Sequence, residues 1–138
     1  MRLRLGLAAL AMAIGILAAS PKPTITSLSP VYSVAGQAAP LLTINGSGFR
    51  NSSQMQLFVG TSQRTFTYNG STQIKTQLTA ADVAAPAFWG IYVTEKTGTS
   101  NATSFQVCAP IVITTTTLPA GQQFVAYSTQ LQAVGGCK

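Results

Sequence analysis

From residue 23 onward the apolar positions recur every second residue rather than every three or four. Leu42 and Ile44 share one face of such a run, as do Met55, Leu57 and Val59; Ile74, Thr76 and Leu78; Ile91 and Val93; and Phe105 and Val107. Alternation over short stretches bounded by turn residues is the signature of half-buried β-strands. Turn chemistry separates the runs at Asn45-Gly46-Ser47-Gly48, Asn69-Gly70-Ser71 and Thr97-Gly98, where glycine accepts backbone angles that other residues resist. The pattern predicts an all-β, immunoglobulin-like sandwich over residues 23–107. Its expected core is Leu42, Ile44, Phe49, Leu57, Val59, Ile74, Leu78, Ile91, Val93, Phe105 and Val107. Gly48 is expected to free the backbone so that Phe49 turns inward. A single helical turn is predicted after Thr79, which is placed to cap Ala80–Ala84.

The beginning of the chain has a different pattern. Arg2 and Arg4 precede an uncharged apolar run, Leu5–Ala19, followed by Ser20 and Pro21. A basic start, a short apolar stretch and small residues form a secretory leader, and the run is shorter than the ~20 residues of a spanning helix. Residues 1–19 are therefore expected to be removed on export. The mature chain is expected to have no membrane segment and to reach the cell surface, the medium or the periplasm.

Beyond the leader the basic residues are Lys22, Arg50, Arg64, Lys75, Lys96 and Lys138, opposed by Asp82 and Glu95. They are spread singly, whereas nucleic-acid binding needs clustered cations that neutralise several phosphates, so no nucleic-acid partner is expected. The chain has no histidine, which removes the commonest general base and metal ligand. Asp82 and Glu95 are too few for a calcium site and are read as structural, Asp82 supporting the helical turn. No catalytic residue, cofactor or metal is predicted.

A second unit is expected from residue 108. Cys108-Ala109-Pro110 reads as a linker, Ile111–Gly121 as a new β-rich start and Ala126–Val134 as another alternating strand, before Gly135-Gly136-Cys137-Lys138. Two strands cannot bury a core by themselves, so residues 108–138 are expected to be an incomplete domain or to pair with the first. Cys108 and Cys137 are the only cysteines, and an exported chain favours their pairing; two separate thiols, or pairing with residues of further domains downstream, are the alternatives. Phe88 and Trp89 are a candidate ligand-contact loop, since exposed aromatics anchor sugars and proteins; the blander reading has both rings capping the end of the sandwich. Tyr32, Tyr68, Tyr92 and Tyr127 form no platform in sequence. Asn45, Asn51, Asn69 and Asn101 each open an Asn-x-Ser/Thr triplet, which we read as turn chemistry rather than glycosylation.

Several elements together resemble the IPT/TIG domain, an immunoglobulin-like fold. They are Pro23-x-Ile25-x-x-Leu28-x-Pro30, Ala35-Gly36, Leu42-x-Ile44-x-Gly46-x-Gly48-Phe49, Gly90-x-x-Val93 before Gly98, Ser100-Asn101 and Phe105-x-Val107. The stretch Ala84–Trp89 departs from it, being longer than the family's usual turn. Residues 111–136 resemble the opening of the immunoglobulin-like (cadherin-like) repeats of bacterial surface proteins, through Leu118-Pro119-x-Gly121 and Ala126-Tyr127-Ser128. These resemblances imply a non-enzymatic structural, adhesive or spacer module, with an unknown protein or glycan partner and further domains downstream. The alternative they imply is an accessory carbohydrate-binding or spacer module of a secreted glycan-active enzyme.

Overall fold

The structure is a computed structural model, and it describes residues 20–137. The expected leader lies outside these residues. The chain forms β1 (Thr24–Ser29), β2 (Tyr32–Val34), β3 (Leu41–Ser47), β4 (Gln56–Val59), β5 (Ser62–Arg64), β6 (Thr67–Tyr68) and β7 (Gln73–Gln77). A 3-10 turn (Ala80–Val83) comes next, and then β8 (Ala87–Glu95), β9 (Gly98–Thr99), β10 (Thr103–Ile113) and β11 (Ala133–Gly136). No helix among the described residues is long and apolar enough to cross a membrane.

Two sheets face each other. One has the order β1-β3-β7-β6; the other runs β11-β10-β8-β4-β5, with β2 parallel to β10 and β9 on β8. Register follows the alternation. Ile44 lies opposite Ile74, and Leu42 opposite Thr76, in the first sheet. Leu57 lies opposite Val93, and Val59 opposite Ile91, in the second. Every residue of the expected core is buried, and Ile25, Leu28, Met55 and Val83 join it. The all-β immunoglobulin-like reading holds because each strand turns one side chain in two toward the facing sheet.

The turn at Asn45-Gly46 is not where the sequence placed it. β3 runs through both residues, with Gly46 opposite Ile25 and Ser47 opposite Thr24. Within Asn45–Gly48 it is Gly48 that takes a left-handed conformation, at φ +73°, and the chain reverses there so that Phe49 enters the core. Gly46 is small for another reason: a Cβ there would overlap the Thr24 carbonyl and the Phe49 ring. Close approach of β1, not turn geometry, requires glycine at this position.

Asn101 ties the two sheets together. Its amide donates to the Ile25 carbonyl at 2.9 Å and its side-chain oxygen accepts from the Ile25 N–H at 2.9 Å. It thereby completes the backbone of β1 where the register shifts between Ile25 and Ser27. The neighbouring Ser100 hydroxyl accepts from the Val93 N–H at 3.0 Å. Both groups satisfy backbone polar atoms that burial would otherwise leave unpaired.

The expected linker is strand. β10 passes without a break through Cys108, Ala109 and Pro110 to Ile113. Cys108 is held to the sandwich because its carbonyl accepts from the Ala35 N–H at 2.8 Å. Proline is tolerated because it falls at a register shift between Ala109 and Val112. Beyond Pro110 the strand projects past the sandwich and pairs with β11 alone. Ile111, Val112, Ile113, Leu118, Phe124, Leu131 and Val134 are all exposed.

Candidate functional site

The two aromatics that sequence singles out are separated by the fold. β8 begins at Ala87, so Phe88 and Trp89 occupy a strand rather than a loop and their side chains leave on opposite faces. Trp89 packs against the core, and its indole N–H donates to the Asp82 carbonyl at 2.7 Å. Gly60, at φ +60°, makes room for the indole ring, which a Cβ there would meet at 2.9 Å. Trp89 therefore caps the sandwich. Phe88 lies on the outer face and is 70% exposed. The pair forms no joint platform.

An aromatic pair that sequence reading does not find lies on the same outer face. Phe58 of β4 is directly opposite Tyr92 of β8, and their rings stack with centroids 5.1 Å apart and planes 7° from parallel. Phe88 is on Tyr92's side of β8, with Gly90 between them. Gln106 lies opposite Phe88, Ser104 opposite Gly90, and Gln63 opposite Phe58. The face is uncharged and made of rings, amides and hydroxyls. Its one sequence signal is that Phe58 sits between Leu57 and Val59, both of which the alternation sends inward. The cross-strand partner is not encoded locally.

Both carboxylates are tied down by arginine partners. Asp82 closes a capping box with Thr79: its carboxylate accepts from the Thr79 N–H at 2.8 Å and from the Thr79 hydroxyl at 2.8 Å. The same carboxylate pairs with Arg64 of β5. Burial pushes the Asp82 carboxyl up, but the two Thr79 hydrogen bonds and the Arg64 guanidinium outweigh it and hold the group below its ordinary value. Asp82 is thus an ionised strut joining the 3-10 turn to β5. Glu95 pairs with Arg50 at 3.5 Å and accepts from the Thr97 hydroxyl at 3.1 Å. The two carboxylates have different cationic partners and do not form an acid–base pair. Among the described residues no cluster of three or more ligating side chains could hold a metal.

Cys108 and Cys137 are joined as a disulfide with Cα atoms 4.8 Å apart. It links the end of the sandwich to the far end of β11. A concavity beside it is lined by Tyr32, Val34, Cys108, Ala109, Ile111, Gly136 and Cys137.

A comparison with curated proteins returns no match. Among solved structures, the crystal structure of gamma-CGTase from alkalophilic Bacillus clarkii is similar. It shares 21% identity with a TM-score of 0.51, over 65% of this chain and 13% of that one. This likeness is one of fold, and the chain spans about an eighth of that protein's length. The IPT/TIG domain family matches residues 23–107, the stretch that holds the facing sheets apart from β11 and the end of β10, together with the Asn101 tie and the outer aromatic face; the chain belongs to the IPT/TIG family.

Proposed function

We propose that residues 23–107 are a non-catalytic scaffold and spacer module of a longer exported protein, and that residues 108–137 open a second immunoglobulin-like unit. The observation that carries this reading is the contrast in burial. The sandwich has a closed core and engages both of its carboxylates in structural pairs, whereas the ribbon emerging from it leaves its apolar residues uncovered. The three-residue run Ile111-Val112-Ile113 is apolar on both faces, as in a strand that is covered on both sides in its complete domain. The likeness to a small part of gamma-CGTase supports a module that sits within a larger polypeptide. The basic and apolar leader supports export, and adhesion is the role such a surface module would serve. The test is the reading frame after the Lys138 codon. A continuing frame that encodes further alternating strands is the expected result; an immediate stop would contradict the reading.

A second reading, a glycan-contact module, is favoured by the outer face of β4 and β8. Phe58, Tyr92 and Phe88 offer apolar ring surface beside the amides of Gln63 and Gln106, with no charge to repel or attract. That chemistry suits a neutral polysaccharide, whose sugar rings have apolar faces and hydroxyl rims. Retention of the chain on insoluble neutral polysaccharides tests it. Retention that is lost in the double variant Phe88→Ala/Tyr92→Ala supports it. No retention of the parent chain, or equal retention of the variant, excludes it.

A further inference from the structure

We infer that the segment joining the sandwich to the ribbon is a fixed joint, closed by a bulged clasp whose parts are Cys108, Pro110, Gly135 and Cys137. It rests on the reading of the ribbon as the start of a second unit, and it adds that the direction of that unit is set by residues of this chain.

Register is the first observation. Within the ribbon Ile113 lies opposite Ala133 and Val112 opposite Val134. Continued without interruption, that pairing would bring Cys137 opposite Ala109 and leave Cys108 facing Lys138. The observed pairing changes between Ala109 and Val112, and Ala109 lies opposite Gly136. Pro110 and Ile111 on β10 therefore face the single residue Gly135 on β11, the two-against-one arrangement of a β-bulge. This one-residue slip carries Cys137 to the position across from Cys108. A slip of one residue also exchanges the faces of every side chain beyond it, so without the bulge Cys137 would not face the sulfur it joins.

Residue types at the bulge fit this role. Gly135 has φ +93° and Gly136 has φ +82°, a conformation that strains any residue with a Cβ. A Cβ at Gly135 would also overlap the Pro110 carbonyl. Pro110 has no N–H to leave unpaired where the ladder is broken. On the sandwich side Cys108 is 2% exposed. It is fixed by β2, through the parallel pairing Cys108–Val34 and the Ala35 N–H on its carbonyl. One sulfur thus belongs to the rigid core and the other to the end of the ribbon. The continuous β10 backbone is one link between the units and the disulfide is a second. Two links at one place oppose bending that a single strand would allow.

The experiment is backbone NMR relaxation on the disulfide-bonded chain and on Cys137→Ser, whose altered residue is exposed, with free-thiol titration of Gly135→Ala under denaturing conditions. In the parent chain the amides of 109, 111–113 and 134–136 are expected to move with the sandwich, with order parameters of about 0.85. In Cys137→Ser the same amides are expected to fall below about 0.6 while those of 42–45 and 91–94 keep their values. Gly135→Ala is expected to show more free thiol than the parent at equal oxidation. Ribbon amides already mobile in the parent, or equally rigid in Cys137→Ser, would overturn the fixed joint. Complete disulfide formation in Gly135→Ala would overturn the role of the bulge. All three results are read on the 138-residue chain and do not depend on any residue beyond Lys138, so the joint can fail while the two-unit reading stands, or the reverse.

Discussion

Residues 23–107 and residues 108–137 are written in the same alternating pattern and come to different ends. In the first region the inward set of one sheet meets the inward set of another. Leu42, Ile44, Leu57, Ile74, Ile91, Val93 and Phe105 have no accessible surface left. In the second, Ile111 is 73% and Phe124 is 97% exposed. Alternation provides an apolar face; a core needs a second layer to cover it. Ordering each residue costs about 1–2 kcal/mol of conformational entropy, so a ribbon with nothing above it depends on its anchors. Here the anchors are β10, continuous with the sandwich, and one disulfide.

The largest effect expected from this contrast is in core truncation. Leu57→Ala or Val93→Ala should lower the unfolding free energy of the sandwich by about 2–4 kcal/mol, because each leaves a cavity in a region with no slack. Ile113→Ala in the ribbon should change it by about 0.5 kcal/mol or less. Urea denaturation followed by Trp89 fluorescence measures both, and similar losses in the two regions would erase the distinction. Next comes Gly46→Ala, which should cost roughly 1–3 kcal/mol, since β1 and Phe49 must move to admit a methyl group.

Acid titration separates the regions as well. Asp82 has its carboxyl lowered in the folded state, so its contribution to stability is present above the unfolded value near 3.8 and is lost as pH falls from there through the lowered folded value. No acidic residue lies in 108–137, so this titration should weaken the sandwich and leave the ribbon's own contacts untouched. Asp82→Asn should cost roughly 1–2 kcal/mol at neutral pH through the lost cap and charged hydrogen bonds. It should also flatten the stability profile below about pH 4. An unchanged profile would mean that the Arg64–Asp82 strut contributes nothing. The smallest effect is that of Phe88→Ala, whose ring is outside the core; a change within about 0.5 kcal/mol is expected.

How far the molecule can be read from its sequence depends on the range of each interaction. The direction of each core side chain is local, and period two puts Leu42 through Val107 on the correct faces. The Thr79 cap is also local, three residues from Asp82. The features that sequence does not show involve partners far apart along the chain. Gly46 resembles turn chemistry because Thr24, which crowds it, is distant in sequence. Phe58 and Tyr92 meet only once β4 and β8 are paired. Arg64 reaches Asp82 across two elements. Cys108–Pro110 resembles a linker because proline usually ends strands, and only the pairing with β11 shows the bulge that admits it. Phe88 and Trp89 read as one loop, yet a strand starting at Ala87 sends one inward and one outward.

Hydrogen exchange on the 138-residue chain tests most directly whether one region is complete and the other is not. Amides paired in the sandwich, at 42–45 and 91–94, should open only with global unfolding. Those at 112–114 and 133–134 should exchange orders of magnitude faster by local opening, because few buried contacts hold them. Equal protection of the two sets would contradict the account and make the ribbon an integral part of the sandwich.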